Sequence, residues 1–279
     1  MDRTPYLFHM HQGTGIAVRA LLNDVPFYSG FGQENVTVSG PANHLLVPGE
    51  NVIALELAPA PKPSFAPYLD GVVRFQVLVD GGVDTVVHRV AWPELWEVIR
   101  DAEQRARQAA LPPGELDLTP PPDPPLPFLH VSRFQIDDRN PVPAYWSAPR
   151  VDFGPEGTPA QHEAVREVYR AFASGDPDRF LDVHALKLEE RQRAYPDVPE
   201  FARSHQRTKI AERFSHRWDV RPTEMQELVF ERRAEGRVAY VHRVDGGPAL
   251  EAVSDEAEDN LFSTDMYLTQ QNGVWRVFR

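Results

Sequence analysis

The chain has 279 residues, with 41 acidic and 29 basic side chains, a formal net charge of −12 and no cysteine. Disulfides, thiolate nucleophiles and cysteine-ligated metals are therefore excluded. Residues 1–150 hold 17 acidic and 11 basic side chains, a net of −6, and the remainder carries the other −6, so neither half offers the basic stripe that nucleic-acid binding requires.

The length favours two domains. No run of about 20 apolar residues occurs, so no membrane span is expected. The opening Met1-Asp2-Arg3-Thr4-Pro5 lacks the basic-then-apolar pattern of a secretory signal, which makes the cytoplasm the expected location. Lysine occurs only at Lys62, Lys187 and Lys209, and 27 residues are proline, a bias typical of a GC-rich bacterial genome.

Short strands are expected first. Ile16–Leu22 is apolar with partial alternation, Asn23-Asp24 turns, and Val25–Tyr28 resumes. Val36–Ser39 alternates, Pro48–Asn51 has turn composition, and Val52–Leu57 follows as a strand. Gly71–Val79 and Thr85–Val90 flank Asp80-Gly81-Gly82, a hairpin signal. Strands at this spacing predict an antiparallel β-sandwich. A helix is expected over 93–111, with Pro93 at its first position and Leu95, Trp96, Val98, Ile99, Ala102 and Ala106 as its apolar stripe. The eight prolines of 112–127 predict an extended surface spacer, and Phe128–Ile136 a returning strand.

The first domain is thus expected over 1–147, with a linker over 148–159 inside a proline-rich seam that starts at Asn140. From Gln161 the period changes: Val165, Val168, Tyr169 and Phe172 mark one buried helix face. Gly175 ends that helix, and Asp176 caps the next, with Pro177 at its first position. Apolar residues from Phe180 to Leu188 carry the helix to Tyr195, and a third helix runs from about Phe201 to Trp218. Strands are expected over Glu227–Arg233, Arg237–Val244, Leu261–Gln270 and Val274–Arg279, with a solvated, mobile acidic loop over Glu251–Asp259.

Two stretches carry resemblances. Phe172–Pro177 followed by Tyr267–Val277, with its Gln271-Asn272-Gly273-Val274-Trp275 turn, resembles the NTF2-like (SnoaL-like, cystatin-like) superfamily over about 160–279. This implies an α+β domain in which a curved sheet packs on helices around a pocket. Leu22-Asn23-Asp24-Val25 and Leu46–Ile53 resemble sandwich domains that accompany carbohydrate-active enzymes, where the motif makes a turn and does not touch sugar.

Catalytic NTF2-like domains use a carboxylate or histidine base with a tyrosine or protonated aspartate as oxyanion donor. Here Tyr240 and His242 share one strand face with Val238 and Val244, while Asp265 and Tyr267 lie on the face opposite Phe262, Met266 and Leu268, which read as core and leave Asp265 solvated. The ligand-pocket candidates are Tyr240, His242, Trp218 and Tyr195. His205 and His216 lie eleven residues apart without a third ligand, and His9 and His11 share a strand face near the terminus; neither pair is assigned a metal. Gly13-Thr14-Gly15 and Gly30-Phe31-Gly32 are not phosphate loops, and no nucleophile elbow occurs. Phe27, Tyr28, Phe31, Tyr68, Tyr145 and Trp146 are loop aromatics that suit sugar stacking or plug a sandwich end, the latter being favoured.

No catalytic residue, metal or cofactor is assigned. The expected function is non-catalytic binding, of a protein partner or a small ligand, with a homodimer allowed and nucleic acid and membrane excluded. The alternatives are a small-molecule acid/base enzyme using the second domain's pocket, and carbohydrate binding by the first.

Overall fold

The computed structural model describes residues 6–32, 35–60, 73–79, 85–92, 104–105, 107–112, 126–136, 139–221, 224–254, 256, 261–264 and 266–278. The chain divides into two units, Met1–Arg139 and Asn140–Arg279. Most of the helix expected over 93–111, most of the proline-rich segment 112–127, the Asp80–Gly82 turn, Tyr68 and Asp265 lie outside the described residues. Of that stretch, residues 104–105 and 107–111 are described; 104–105 and 107–109 are helical, and the helix gives way to a turn at Ala110.

The first unit contains β1 (Tyr6–Gln12), β2 (Ile16–Leu22), β3 (Val25–Gly30), β4 (Val36–Pro41), β5 (Gly49–Pro59), β6 (Val73–Val79), β7 (Thr85–Trp92) and β8 (Phe128–Ile136). They form two four-stranded antiparallel sheets, ordered β4-β1-β6-β7 and β3-β2-β5-β8. Alternation decides what each strand buries. Met10, Phe75, Val77, Val90 and Trp92 from one sheet share a core with Val18, Ala20, Leu22, Ile53, Leu55, Leu57, Phe134 and Ile136 from the other.

The turns carry the backbone conformations that their residue types allow. Asn23 and Asp24 have φ of 53° and 65°, as a two-residue hairpin turn between twisted strands requires. The two motif stretches of this unit meet through a buried amide pair. Asn23 Nδ2 donates to Asn51 Oδ1 at 2.8 Å, and Val52 N donates to Asn23 Oδ1 at 3.0 Å. Asn51 also binds Val47 through both N–H and C=O, each at 2.8 Å.

The second unit contains the helices α1 (Ala144–Ser147), α2 (Pro159–Ala173), α3 (Pro177–Val183), α4 (Ala185–Ala194) and α5 (Arg203–Phe214). Its strands are β9 (Asp219–Val220), β10 (Leu228–Arg233), β11 (Val238–Arg243), β12 (Leu250–Val253), β13 (Leu261–Thr264), β14 (Met266–Gln271) and β15 (Val274–Val277). The sheets are ordered β10-β11-β14-β15 and β13-β12-β9. Val165, Val168, Ala171 and Phe172 of α2 pack on Phe230, Ala239, Val241, Met266, Leu268, Trp275 and Val277 of the larger sheet and on Leu250 and Ala252 of the smaller.

Local signals place these elements. Thr158 and Gln161 close a capping box at the start of α2, two residues before the expected start. Gly175 has φ of 64°, and the Asp176 side chain accepts from the N–H groups of Asp178 and Arg179. Asn272 and Gly273, both at positive φ, turn β14 into β15.

Several expectations are corrected. The acidic loop over Glu251–Asp259 begins as strand β12, because Leu250 and Ala252 alternate with Glu251 and are fully buried. The single strand over Leu261–Gln270 is two strands in different sheets. The helix from Pro177 to Tyr195 breaks at His184, and the third helix ends at Phe214, so that Trp218 follows it. Phe27 and Tyr28 lie on strand β3, not in a loop. The segment over 148–159 lies in the second unit, where Val151 and Phe153 pack on its core. Just before it, α1 buries Tyr145 completely. Along this stretch Val151 N donates to Gly236 O, and Phe230 N, at the edge strand β10, donates to Pro155 O at 2.8 Å. Among the described residues no helix is long and apolar enough to cross a membrane.

Candidate functional site

The two faces of the larger second-unit sheet are set by register. Tyr240 stands opposite Glu231 on one side and Tyr267 on the other, and Val241 lies opposite Phe230 and Met266. Val241, Phe230 and Met266 therefore face α2, while Tyr240, His242 and Tyr267 face the opposite way. The sheet is covered on both sides.

On the α2 face the space between sheet and helices is occupied by rings. Phe172 lies 4.8 Å from Phe262, 5.3 Å from Phe214 and 6.3 Å from Trp218, centroid to centroid. Phe180 adds contacts at 6.0 Å to Phe172 and 5.5 Å to Phe214. Several of these contacts are edge-to-face, the arrangement that ring quadrupoles favour. The Arg213 guanidinium sits 5.2 Å from the Phe262 centroid, and its backbone carbonyl accepts from Trp218 Nε1 at 2.8 Å. A half-open cleft of about 180 Å³ remains at the helix ends, lined by Phe172, Ser174, Phe214, His216 and Trp218 among others.

On the far face, rings follow one another from His242 to Tyr240 (5.0 Å), Tyr267 (4.9 Å), Phe278 (6.2 Å) and Tyr145 (5.4 Å). Tyr145, on α1, is fully buried, and Tyr240 and Tyr267 are nearly so. The face that carries Tyr240 and His242 is thus packed with rings. His242 Nδ1 lies 2.9 Å from the carbonyl oxygen of Arg243.

Of the four expected pocket residues, Trp218 is not on the sheet face that carries Tyr240 and His242. Tyr240 and His242 lie on the far face, and Trp218 lies in the ring cluster on the α2 side. Tyr195 is buried with its ring 5.4 Å from Phe201. His205 is on α5 and His216 beyond its end. No group of three or more metal-ligating side chains occurs among the described residues. In the first unit Phe27 is buried in the core, Tyr28 donates to Gln12 Oε1 at 2.5 Å, and Phe31 is 66% exposed.

Among the described residues, the ionisable groups that the environment shifts most are both on or beside α4. Burial raises the Glu190 carboxyl to about 7, against opposing effects of the Ala144 N–H and Arg193. Burial also lowers the His184 imidazole to about 4, helped by Lys187 and opposed by a hydrogen bond to the Phe180 carbonyl at 2.8 Å. Neither group lines the cleft at Phe172 and Trp218. Both hold backbone: Glu190 at the start of α1, and His184 at the junction of α3 and α4. Sequence spacing could not single them out, since each reads as an ordinary polar residue in an amphipathic helix.

No protein family, curated protein or solved structure matches the chain.

Proposed function

We propose that the chain is a non-catalytic binding protein, with a β-sandwich as its first unit and an NTF2-like curved-sheet domain as its second. The sandwich reading is supported by the core shared between the inward faces of two antiparallel sheets. The NTF2-like reading is supported by a four-stranded antiparallel sheet packed on α2, and by the Asp176 cap and the Asn272-Gly273 turn that carry the resemblance.

The observation that carries the functional reading is the filling of the space between sheet and helices by Phe172, Phe180, Phe214, Trp218 and Phe262. An acid/base enzyme of this architecture needs a ligand-sized cavity with a polar group aimed into it. Here rings take that volume, and the shifted groups, Glu190 and His184, are spent on backbone hydrogen bonds. The exposed Leu129 and Val131 of the edge strand β8, 59% and 53% accessible, give the first unit an apolar strip of the kind that marks interaction surfaces.

Titration of the full chain with small apolar carbonyl compounds tests this. The expected result is an unchanged melting temperature and no chemical-shift change at Phe172 or Phe262. Saturable shifts at those rings would overturn the non-catalytic reading and favour the enzyme.

A further inference from the structure

The half-open cleft of about 180 Å³ in the second unit lies where two helices end. Ala173 and Ser174, at the C-terminal end of α2, form one wall, and Phe214 and His216, at the C-terminal end of α5, form another. Phe172 and Trp218 join Phe214 as aromatic lining. Among the described residues no Asp, Glu, Lys or Arg side chain lines it.

A helix ends on carbonyl groups that lack an N–H partner one turn further on, and its dipole adds partial negative charge there. The sequence leaves two such carbonyls at this cleft. One turn beyond Ala173 stands Pro177, which has no N–H, and the Asp176 N–H donates to Ser174 Oγ at 3.2 Å instead. Beyond Phe214, the Arg217 N–H donates to Glu256 Oε2 at 3.1 Å. Among the described residues, no backbone N–H donates to the carbonyl of Ala173 or of Phe214. The start of α3 would supply the opposite charge, but the Asp176 carboxylate already answers it by accepting from the N–H groups of Asp178 and Arg179.

Two arginines stand near the cleft without lining it. Arg217 is paired with Asp219 at 3.7 Å. The Arg213 guanidinium lies 5.2 Å from the Phe262 centroid and 6.0 Å from that of Trp218, so this ring cluster already holds one positive group against its rings.

These features select a ligand by exclusion. An anion would meet the negative ends of two helices. A metal ion would find no carboxylate in the lining. A primary ammonium is strongly hydrated, and ring walls do not replace its water. A methylated ammonium has its charge spread over methyl groups, which aromatic rings attract through their quadrupoles. The volume is below the roughly 300 to 1,000 Å³ of a drug-sized site, so it admits a headgroup and not a larger molecule.

We propose that this cleft binds small quaternary ammonium groups. The site names a ligand class for the binding-protein reading and rests on that reading only in that the ligand leaves unchanged.

The test is calorimetric titration of the full chain at neutral pH with tetramethylammonium, choline, ammonium and neohexyl alcohol, the neutral analogue of choline with carbon in place of nitrogen. Saturable binding of tetramethylammonium and choline is expected, with neohexyl alcohol at least about threefold weaker through loss of the cation–ring attraction. Ammonium should not bind, and the Trp218 indole N–H resonance should move along the tetramethylammonium saturation curve. Ser174 is exposed at the rim. Ser174→Lys places a fixed ammonium there and should weaken tetramethylammonium by about tenfold or more, while the uncharged Ser174→Gln should bind as wild type. Circular dichroism should show both variants folded. No saturable tetramethylammonium binding, equal affinity for ammonium or neohexyl alcohol, or binding indifferent to Ser174→Lys would overturn the site and leave the binding-protein reading standing. Release of acetate from acetylcholine would instead overturn the non-catalytic reading and leave the site standing, so the two failures are distinguishable.

Discussion

The carboxylate of Glu190 accepts a hydrogen bond from the backbone N–H of Ala144, 46 positions earlier in the chain. That contact ties α4 to the start of α1, and Arg193, which donates to the Val142 carbonyl at 3.1 Å, ties the same two stretches again. Because Glu190 is buried, the tie is sensitive to its charge. The carboxyl is raised from its ordinary 4.5 to about 7, so its contribution to stability is fully present below about pH 4.5 and is lost as pH rises through 7.

His184 acts in the opposite sense over nearly the same interval. Its imidazole is lowered from 6.5 to about 4, so its contribution is fully present above pH 6.5 and is lost as pH falls through 4. The two slopes offset one another, and the wild-type melting temperature should change little on their account between pH 4.5 and 6.5. Glu190→Gln keeps an acceptor for Ala144 and removes one slope, so stability should then rise with pH across this interval. His184→Asn keeps a donor for the Phe180 carbonyl and should give the reverse, stability falling with pH. Each slope amounts to about 3 kcal/mol at its fullest, at about 1.4 kcal/mol per pH unit of displacement. Denaturant titrations at pH 4.5, 5.5 and 6.5 read both signs, and parallel profiles for the two variants would refute the offset.

Phe172 touches four other rings, and its removal leaves them facing a void. Phe172→Ala should cost about 3 to 5 kcal/mol. It should also open a cavity that binds a small aromatic such as benzene, so the melting temperature of the variant, but not of the wild type, should rise when benzene is added.

Asn51 is the hub of the first unit's turns, engaging Asn23, Val47 and Gly49. Asn51→Ala strands the Val47 N–H and the Asn23 amide in a buried setting and should cost about 3 kcal/mol. Asn51→Asp keeps the acceptors and loses the donors to Val47 and Gly49, so it should be destabilising as well, and more so where the carboxylate is charged. Equilibrium unfolding monitored separately on each unit should place both losses in the first unit.

Gly236 has φ of 87°, and a Cβ there would lie 2.5 Å from the Val151 carbonyl oxygen. Gly236→Ala should cost about 2 kcal/mol or more, through strain and through displacement of the stretch after α1. Proteolysis between Ala148 and Thr158 should accelerate in this variant while the first unit stays resistant.

Elements with local punctuation were legible from residue order alone. The Asn23-Asp24 turn, the Gly175-Asp176-Pro177 break and the Asn272-Gly273 hairpin are each dictated by backbone conformations that few residues accept. What escaped depends on partners distant in sequence. Tyr145 and Trp146 sit among prolines and carry no periodicity, so nothing nearby announces that Tyr145 closes the outer face of a sheet built from strands that start more than 80 residues later. Leu250 to Val253 is too short for its alternation to stand out beside the acidic residues that follow. The candidate pocket residues Tyr240 and His242 were rightly placed on one strand face, but parity cannot say which face the helix covers. His9 and His11 were visible as a pair. Their guanidinium neighbours were not, because Arg74 and Arg89 join them only once the strands pair.

The bond from Phe230 N to Pro155 O has a bearing on how this chain behaves in crowded solution. An outermost strand with free N–H groups is a template on which a second molecule can build, and runaway growth of that kind leads to fibres. Here the molecule supplies its own acceptor for the Phe230 N–H of β10, from a residue that has no N–H of its own. The stretch once expected to be a mere tether thus serves as a stopper: it takes the place a stranger would occupy and offers the next stranger little to hold.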